Sequence, residues 1–109
     1  MDDRSLVKAL KALGHPMRFQ MVQEIAKAGE LSCGQIQERF PVAQPTISHH
    51  LKILTDAGIL VQRRQGQHCF TSVNQEAVDT VLGSLPERLT SRPARRAAPK
   101  GGGTAARRP

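Results

Sequence analysis

The chain has 109 residues, 39% of them hydrophobic, with no tryptophan or tyrosine; this predicts one domain with a small core. No apolar run approaches the roughly 18 residues a membrane helix needs, and Met1-Asp2-Asp3-Arg4 opens acidic with no apolar stretch behind it, so neither a membrane partner nor a signal peptide is expected. The net charge of +7 is unevenly spread: residues 1–85 hold nine Lys/Arg against eight Asp/Glu, whereas residues 86–109 hold seven against one.

Residues 1–85 read as four helices, a hairpin and a last helix. The first helix is expected from about Arg4 to Ala12, with Leu6, Leu10 and Leu13 at spacings of four and three on one stripe, and Gly14 stops it. The second begins at Pro16, since proline suits a first helical position. Its inner row is Met17, Met21 and Ile25, with Phe19 and Val22 beside it, and Gly29 ends it. His15, just before Pro16, is placed to satisfy backbone groups at the helix start. Ser32 and Gln35 match a capping box, so a third helix starts there, carries Ile36 and Phe40 inward and stops before Pro41. A fourth helix runs from Gln44-Pro45 to Gly58. Two strand-like runs, Ile59 to Arg64 and His68 to Val73, flank Gln65-Gly66-Gln67 and read as a hairpin. The last helix, Asn74 to Leu85, spaces Val78, Val81, Leu82 and Leu85 amphipathically. From Pro86 onward, four prolines, Gly101-Gly102-Gly103 and the Arg95-Arg96 and Arg107-Arg108 pairs predict a basic disordered tail over 86–109.

The fourth helix carries the functional signal. At 100° per residue, Ile47, Leu51 and Leu54 share the inner face, while Pro45, Ser48, His49, Lys52 and Asp56 lie opposite, and His50 flanks the apolar row as a packing residue. The outward face is polar and nearly uncharged in its N-terminal half. Hydroxyls and amides of this kind read base edges in the major groove, and Lys52, further along, suits a phosphate. A short helix just before it and a hairpin with Arg63 and Arg64 just after it give the order of a winged helix-turn-helix.

These segments resemble a known family. Leu13-Gly14-His15-Pro16-Met17-Arg18-Phe19, the run Gln44-Pro45-Thr46-Ile47-Ser48-His49-His50-Leu51-Lys52-Ile53-Leu54 with Ala57-Gly58-Ile59-Leu60, and Arg63-Arg64-Gln65-Gly66-Gln67 are similar to ArsR/SmtB-type bacterial repressors. The likeness covers about residues 5–85. It implies an α+β, mostly α winged helix of about five helices with a β-hairpin wing, dimeric through its first and last helices. It further implies operator binding that an inducer relieves. Two departures stand out: Ala43 replaces a serine common before the recognition helix, and Phe70 is the only aromatic residue of the wing.

The expected roles follow. Gln44, Thr46, Ser48 and His49 contact bases; Lys52, Arg63, Arg64 and Gln67 contact the backbone as helix and wing. Leu6, Leu10, Leu13, Val78, Leu82 and Leu85 form the homodimer surface, because a core this small cannot cover both rows. The partners are double-stranded DNA and a second copy of the chain, in the cytoplasm, with no cofactor, no metal and no enzymatic activity, since no catalytic spacing is found. The family's paired thiols at the start of the third helix are reduced here to Cys33, and its Asp/His pairs on the last helix lack histidine. A reducing cytosol is the default for two distant cysteines. Cys33 and Cys69 are left as a redox or metalloid pair, with His68 nearby, or as small buried hydrophobes; a helix N-terminus lowers the pKa of a thiol such as Cys33. Two other functions fit the same residues: a thiol-based metalloid or redox sensor, and a nonspecific DNA-coating module driven by the tail.

Overall fold

A computed structural model describes residues 1–90. Its elements in chain order are α1 (Asp3–Leu13), α2 (Pro16–Ala28), β1 (Leu31–Ser32), α3 (Cys33–Arg39), α4 (Gln44–Asp56), β2 (Leu60–Gln65), β3 (His68–Val73) and α5 (Gln75–Leu89).

Local chemistry sets most of the boundaries. Asp2 caps α1 by accepting a 2.8 Å bond from the Ser5 amide, and the Ser5 hydroxyl first, then that amide, hold its carboxyl below the usual range. His15 Nδ1 accepts from the Met17 amide at 3.1 Å, which caps α2 and leaves the ring proton on Nε2. Ser32 and Gln35 close the expected capping box on α3, at 3.1 and 2.8 Å. At the end of α4 the Ile59 amide reaches the Leu54 carbonyl and the Gly58 amide reaches that of Thr55, both at 3.0 Å. This is a Schellman closure, and it needs the left-handed backbone of Gly58 at φ 82°. Leu54 and Ile59, the apolar pair that accompanies such a closure, are both buried.

The core gathers one face of every helix over the sheet. Met21, Ile25, Ile36, Leu54, Ile59 and Leu60 are almost fully enclosed, with Leu6, Ala9, Ala12, Leu31, Phe40, Ile47, Leu51 and Val81 around them. The sheet is antiparallel, in the order β1-β3-β2. Gln65 pairs with His68 across a two-residue turn that begins at Gly66, φ 62°. Leu31 and Ser32 pair with Thr71 and Phe70, so the hairpin is anchored by a short third strand that the sequence pattern does not reveal.

Three expectations are corrected. Phe19 is exposed, because it lies two residues and therefore 200° around α2 from Met17. Leu6, expected on the homodimer surface, is 3% exposed inside the chain's own core; the inward stripe of α1 is Leu6, Ala9 and Ala12. The last helix does not stop at Leu85. It continues through Pro86 to Leu89, so the boundary placed at 85/86 moves into the helix's interior. The expected tail beyond it, residues 91–109, lies outside the described residues.

Candidate nucleic-acid interface

α4 is held rigidly from behind. Ile47, Leu51 and Leu54 anchor it in the core, and His50 is buried beside them. Arg18 on α2 links this helix to α1. Its Nε donates to the Ala12 carbonyl at 2.7 Å and its Nη2 to that of Lys11 at 3.2 Å, closing the C-terminal end of α1, where carbonyls lack partners. Its Nη1 lies 3.3 Å from His50 Nδ1. Arginine only donates, so His50 accepts on Nδ1 and carries its proton on Nε2. The rings of His15 and His49 pack at 4.8 and 5.7 Å from His50. Burial, then the charges of His15, Arg18 and His49, lower the pKa of His50 below the ordinary value for histidine.

Sequence reasoning assigns Arg18 no role, although it stands in the Leu13–Phe19 motif. The available signal is its position: a cation three residues into α2, one short turn after the end of α1.

The opposite side of α4 is open. Gln44, Pro45, Thr46, Ser48 and His49 are all exposed; the wheel placed Pro45, Ser48 and His49 on this side and Thr46 on its flank. Ala43 offers no side-chain acceptor, and its carbonyl takes the Thr46 and Ile47 amides at 3.0 and 3.2 Å. Lys52 is exposed too, but its ammonium sits 3.2 Å from Asp56. A phosphate there must compete with that carboxylate. Cys33, Ser48, Lys52 and Gln62 line a shallow groove between the start of α3, α4 and β2.

The two wing arginines part company. Arg63 donates to both carboxylate oxygens of Glu30, at 2.9 and 3.3 Å, and to Gln65 at 2.8 Å. Its guanidinium also stacks 4.7 Å from the Phe70 ring centroid. The Glu30 bond raises its already high pKa. Arg63 is therefore engaged within the protein, tying the wing to the residue before β1. Arg64, next along the strand, projects to the other face and sits opposite Cys69. Among the described residues no ion pair engages Arg64. Gln67 is exposed at the turn.

Cys33 and Cys69 come together. Cys33 follows Ser32, whose strand partner Phe70 follows Cys69, and the two thiols interact. The expected lowering of the Cys33 pKa is not found. Burial first, then the Cys69 thiol and its charge, push it up, against the weaker pull of Arg64. Among the described residues no three His, Cys, Asp or Glu side chains converge as a metal site would need.

On the six residues expected at a homodimer surface, the structure divides. Leu10 and Leu82 are exposed, Leu13, Val78 and Leu85 are half-buried, and Leu6 is enclosed. Val7 and Leu89 are exposed apolar residues of α1 and α5 that sequence reasoning missed. No helix among the described residues is long and apolar enough to cross a membrane.

A helix-turn-helix domain family matches residues 13–63. The chain is 38% identical over 79 residues to the transcriptional repressor SdpR of Bacillus subtilis, covering 69% of this chain and 87% of that one. It is 32% identical over 85 residues to the arsenical resistance operon repressor of Staphylococcus xylosus, covering 78% and 81%. Its fold is similar to that of a homodimeric winged helix-turn-helix domain of Mycobacterium bovis, with a TM-score of 0.64, 24% identity and coverage of 76% and 82%. With two successive helices anchored in the core, an exposed polar recognition face and a hairpin beside it, the chain belongs to the ArsR-type family of winged helix-turn-helix transcriptional repressors.

Proposed function

We propose that this protein is a homodimeric, sequence-specific repressor that binds an inverted-repeat operator in the cytoplasm and acts by binding rather than by catalysis. The observation that carries this reading is the outward face of α4. Gln44, Thr46, Ser48 and His49 are exposed and uncharged or weakly charged, on a helix whose other face is locked into the core. Such a face discriminates bases, whereas a cationic one grips any phosphate. Lys52, Arg64 and Gln67 serve the DNA backbone, and Arg63 holds the wing in place.

Two copies are needed. Val7, Leu10, Leu82 and Leu89 leave apolar surface on α1 and α5, which contact each other. Pairing that face about a two-fold axis covers it and sets two α4 helices one DNA turn apart, about 34 Å.

The test is selection of duplexes from a random pool by the full-length protein, followed by Ser48→Ala. The selected sequence should be a symmetric repeat. The variant should lose about 1–3 kcal/mol on it and nothing on scrambled DNA. An equal loss on both would reassign Ser48 to the phosphate backbone, and failure to enrich any sequence would overturn the reading in favour of a nonspecific coating protein.

A further inference from the structure

Two thiols in a chain of 109 residues meet at the junction between the helix-turn-helix and the wing. Ser32 pairs with Phe70; Cys33 follows Ser32 as the first residue of α3 and Cys69 precedes Phe70 on β3, so the two cysteines flank the last rung of the β1–β3 ladder. A disulfide spans roughly 4.4–6.8 Å between Cα atoms, the scale on which residues beside one ladder rung are neighbours. Both thiols are free, Cys33 is exposed to solvent and Cys69 is half-buried behind it. Neither is used by the core or by the recognition face, yet Cys33 lines the groove that also holds Ser48 and Lys52. On its other side Cys69 pairs with Arg64, the wing cation that is not tied to Glu30.

We propose that Cys33 and Cys69 form a reversible intrachain disulfide that weakens operator binding, making the repressor responsive to hydroperoxides. The inference rests on the repressor reading given above. The chemistry balances with a hydroperoxide as oxidant. The Cys33 thiolate attacks the peroxide oxygen, giving a sulfenic acid on Cys33 and releasing an alcohol, or water when the oxidant is hydrogen peroxide. Cys69 sulfur then attacks Cys33 sulfur; the S–S bond forms, the S–O bond breaks and hydroxide leaves, taking up the Cys69 proton as water. Two thiols are oxidised and one peroxide is reduced. The bond fastens the first turn of α3, beside its capping box, to the strand that carries the wing. The helix-turn-helix and the wing then lose the freedom to adjust to each other as they close on DNA, and Arg64 is fixed along with Cys69.

The experiment uses the reduced full-length protein and a duplex that it selects from a random pool. Treatment with dilute hydrogen peroxide should remove both alkylatable thiols, lower the mass by about 2 Da per chain and leave no cross-linked dimer on a non-reducing gel. The dissociation constant for the selected duplex should rise at least ten-fold and return with dithiothreitol. Cys33→Ser and Cys69→Ser should each bind as the reduced protein does and keep that affinity after peroxide. The proposal is overturned if both thiols stay alkylatable, if the disulfide joins two chains, if the oxidised protein binds within two-fold of the reduced one, or if either single variant responds as the parent does. A pool that yields no preferred duplex would sink the repressor reading, while the mass and thiol readouts would still decide the disulfide.

Discussion

Arg18 and His50 show how one half-buried contact can set the position of a recognition helix. Three donors of one guanidinium reach the last carbonyls of α1 and the ring of His50. A proton on Nδ1 of that ring would point at a donor, with two other histidines close by. The sign of the pH effect follows. His50 titrates below its ordinary value in the fold, near 6.5 when unfolded. The unfolded chain therefore takes up a proton first, so the stabilisation is complete above about pH 6.5 and is lost as the pH falls through the folded value. Urea unfolding should give a stability that is level between pH 7 and 8 and declines below 6.5, and His50→Asn, which keeps an acceptor but cannot titrate, should flatten that decline. The outward placement of Ser48 and the inward placement of His50 were both legible from a helical wheel. The division of labour between Arg63 and Arg64 was not, because it depends on Glu30, which is 33 residues away and meets Arg63 only through the sheet.

Among the elements, α5 departs furthest from its sequence signal. A proline inside a helix removes one amide donor and crowds the carbonyl four residues earlier, at a cost of about 3 kcal/mol, which is why the chain reads as ending at Leu85. The last turn survives because Arg88 reaches back, donating to Asp3 at 2.6 Å, to the Met1 carbonyl at 2.8 Å and to the Ser84 carbonyl at 3.2 Å. Replacing Arg88 with alanine should release that turn alone. Amide exchange of residues 87–89 should become fast while that of Ile25, Ile36 and Leu54 stays slow; unchanged exchange at 87–89, or fast exchange throughout, would contradict this. β1 escapes notice for a related reason. Two residues are too few to show alternation, and what makes Leu31–Ser32 a strand is its partner, Phe70–Thr71, far along the chain. By contrast, the ends of α2, α3 and α4 follow from neighbours in sequence: a histidine and a proline, a serine and a glutamine, a glycine. Those were readable.

For the molecule as a whole, the apolar rows of α1 and α5 have two destinations. Leu6 and Val81 serve the chain's own core, while Leu82 is 62% exposed. Leu82→Asp should leave the fold intact, with an unchanged far-ultraviolet spectrum, but shift sedimentation from dimer to monomer and weaken operator binding at least ten-fold; a dimer that persists would move the pairing surface elsewhere. The charge asymmetry of the sequence is a second property at this scale. Removing residues 91–109 takes away six cations, Arg92, Arg95, Arg96, Lys100, Arg107 and Arg108. Every phosphate that these side chains no longer neutralise lowers the salt slope by about 0.9. The truncated protein should therefore bind more weakly, with a flatter dependence on salt and the same preferred duplex, and an unaltered slope would rule the tail out of binding.

The grip of Arg88 on Met1 has one more consequence. It brings the beginning and the end of the ninety-residue body side by side, so the order in which the elements are strung together is separable from the way they pack. A short linker joining those ends, with a new opening cut at the Gly66–Gln67 turn, gives a circular permutant in which every buried contact is retained and only the tip of the wing is severed. Architecture and DNA grip can then be tuned in separate experiments on one polypeptide.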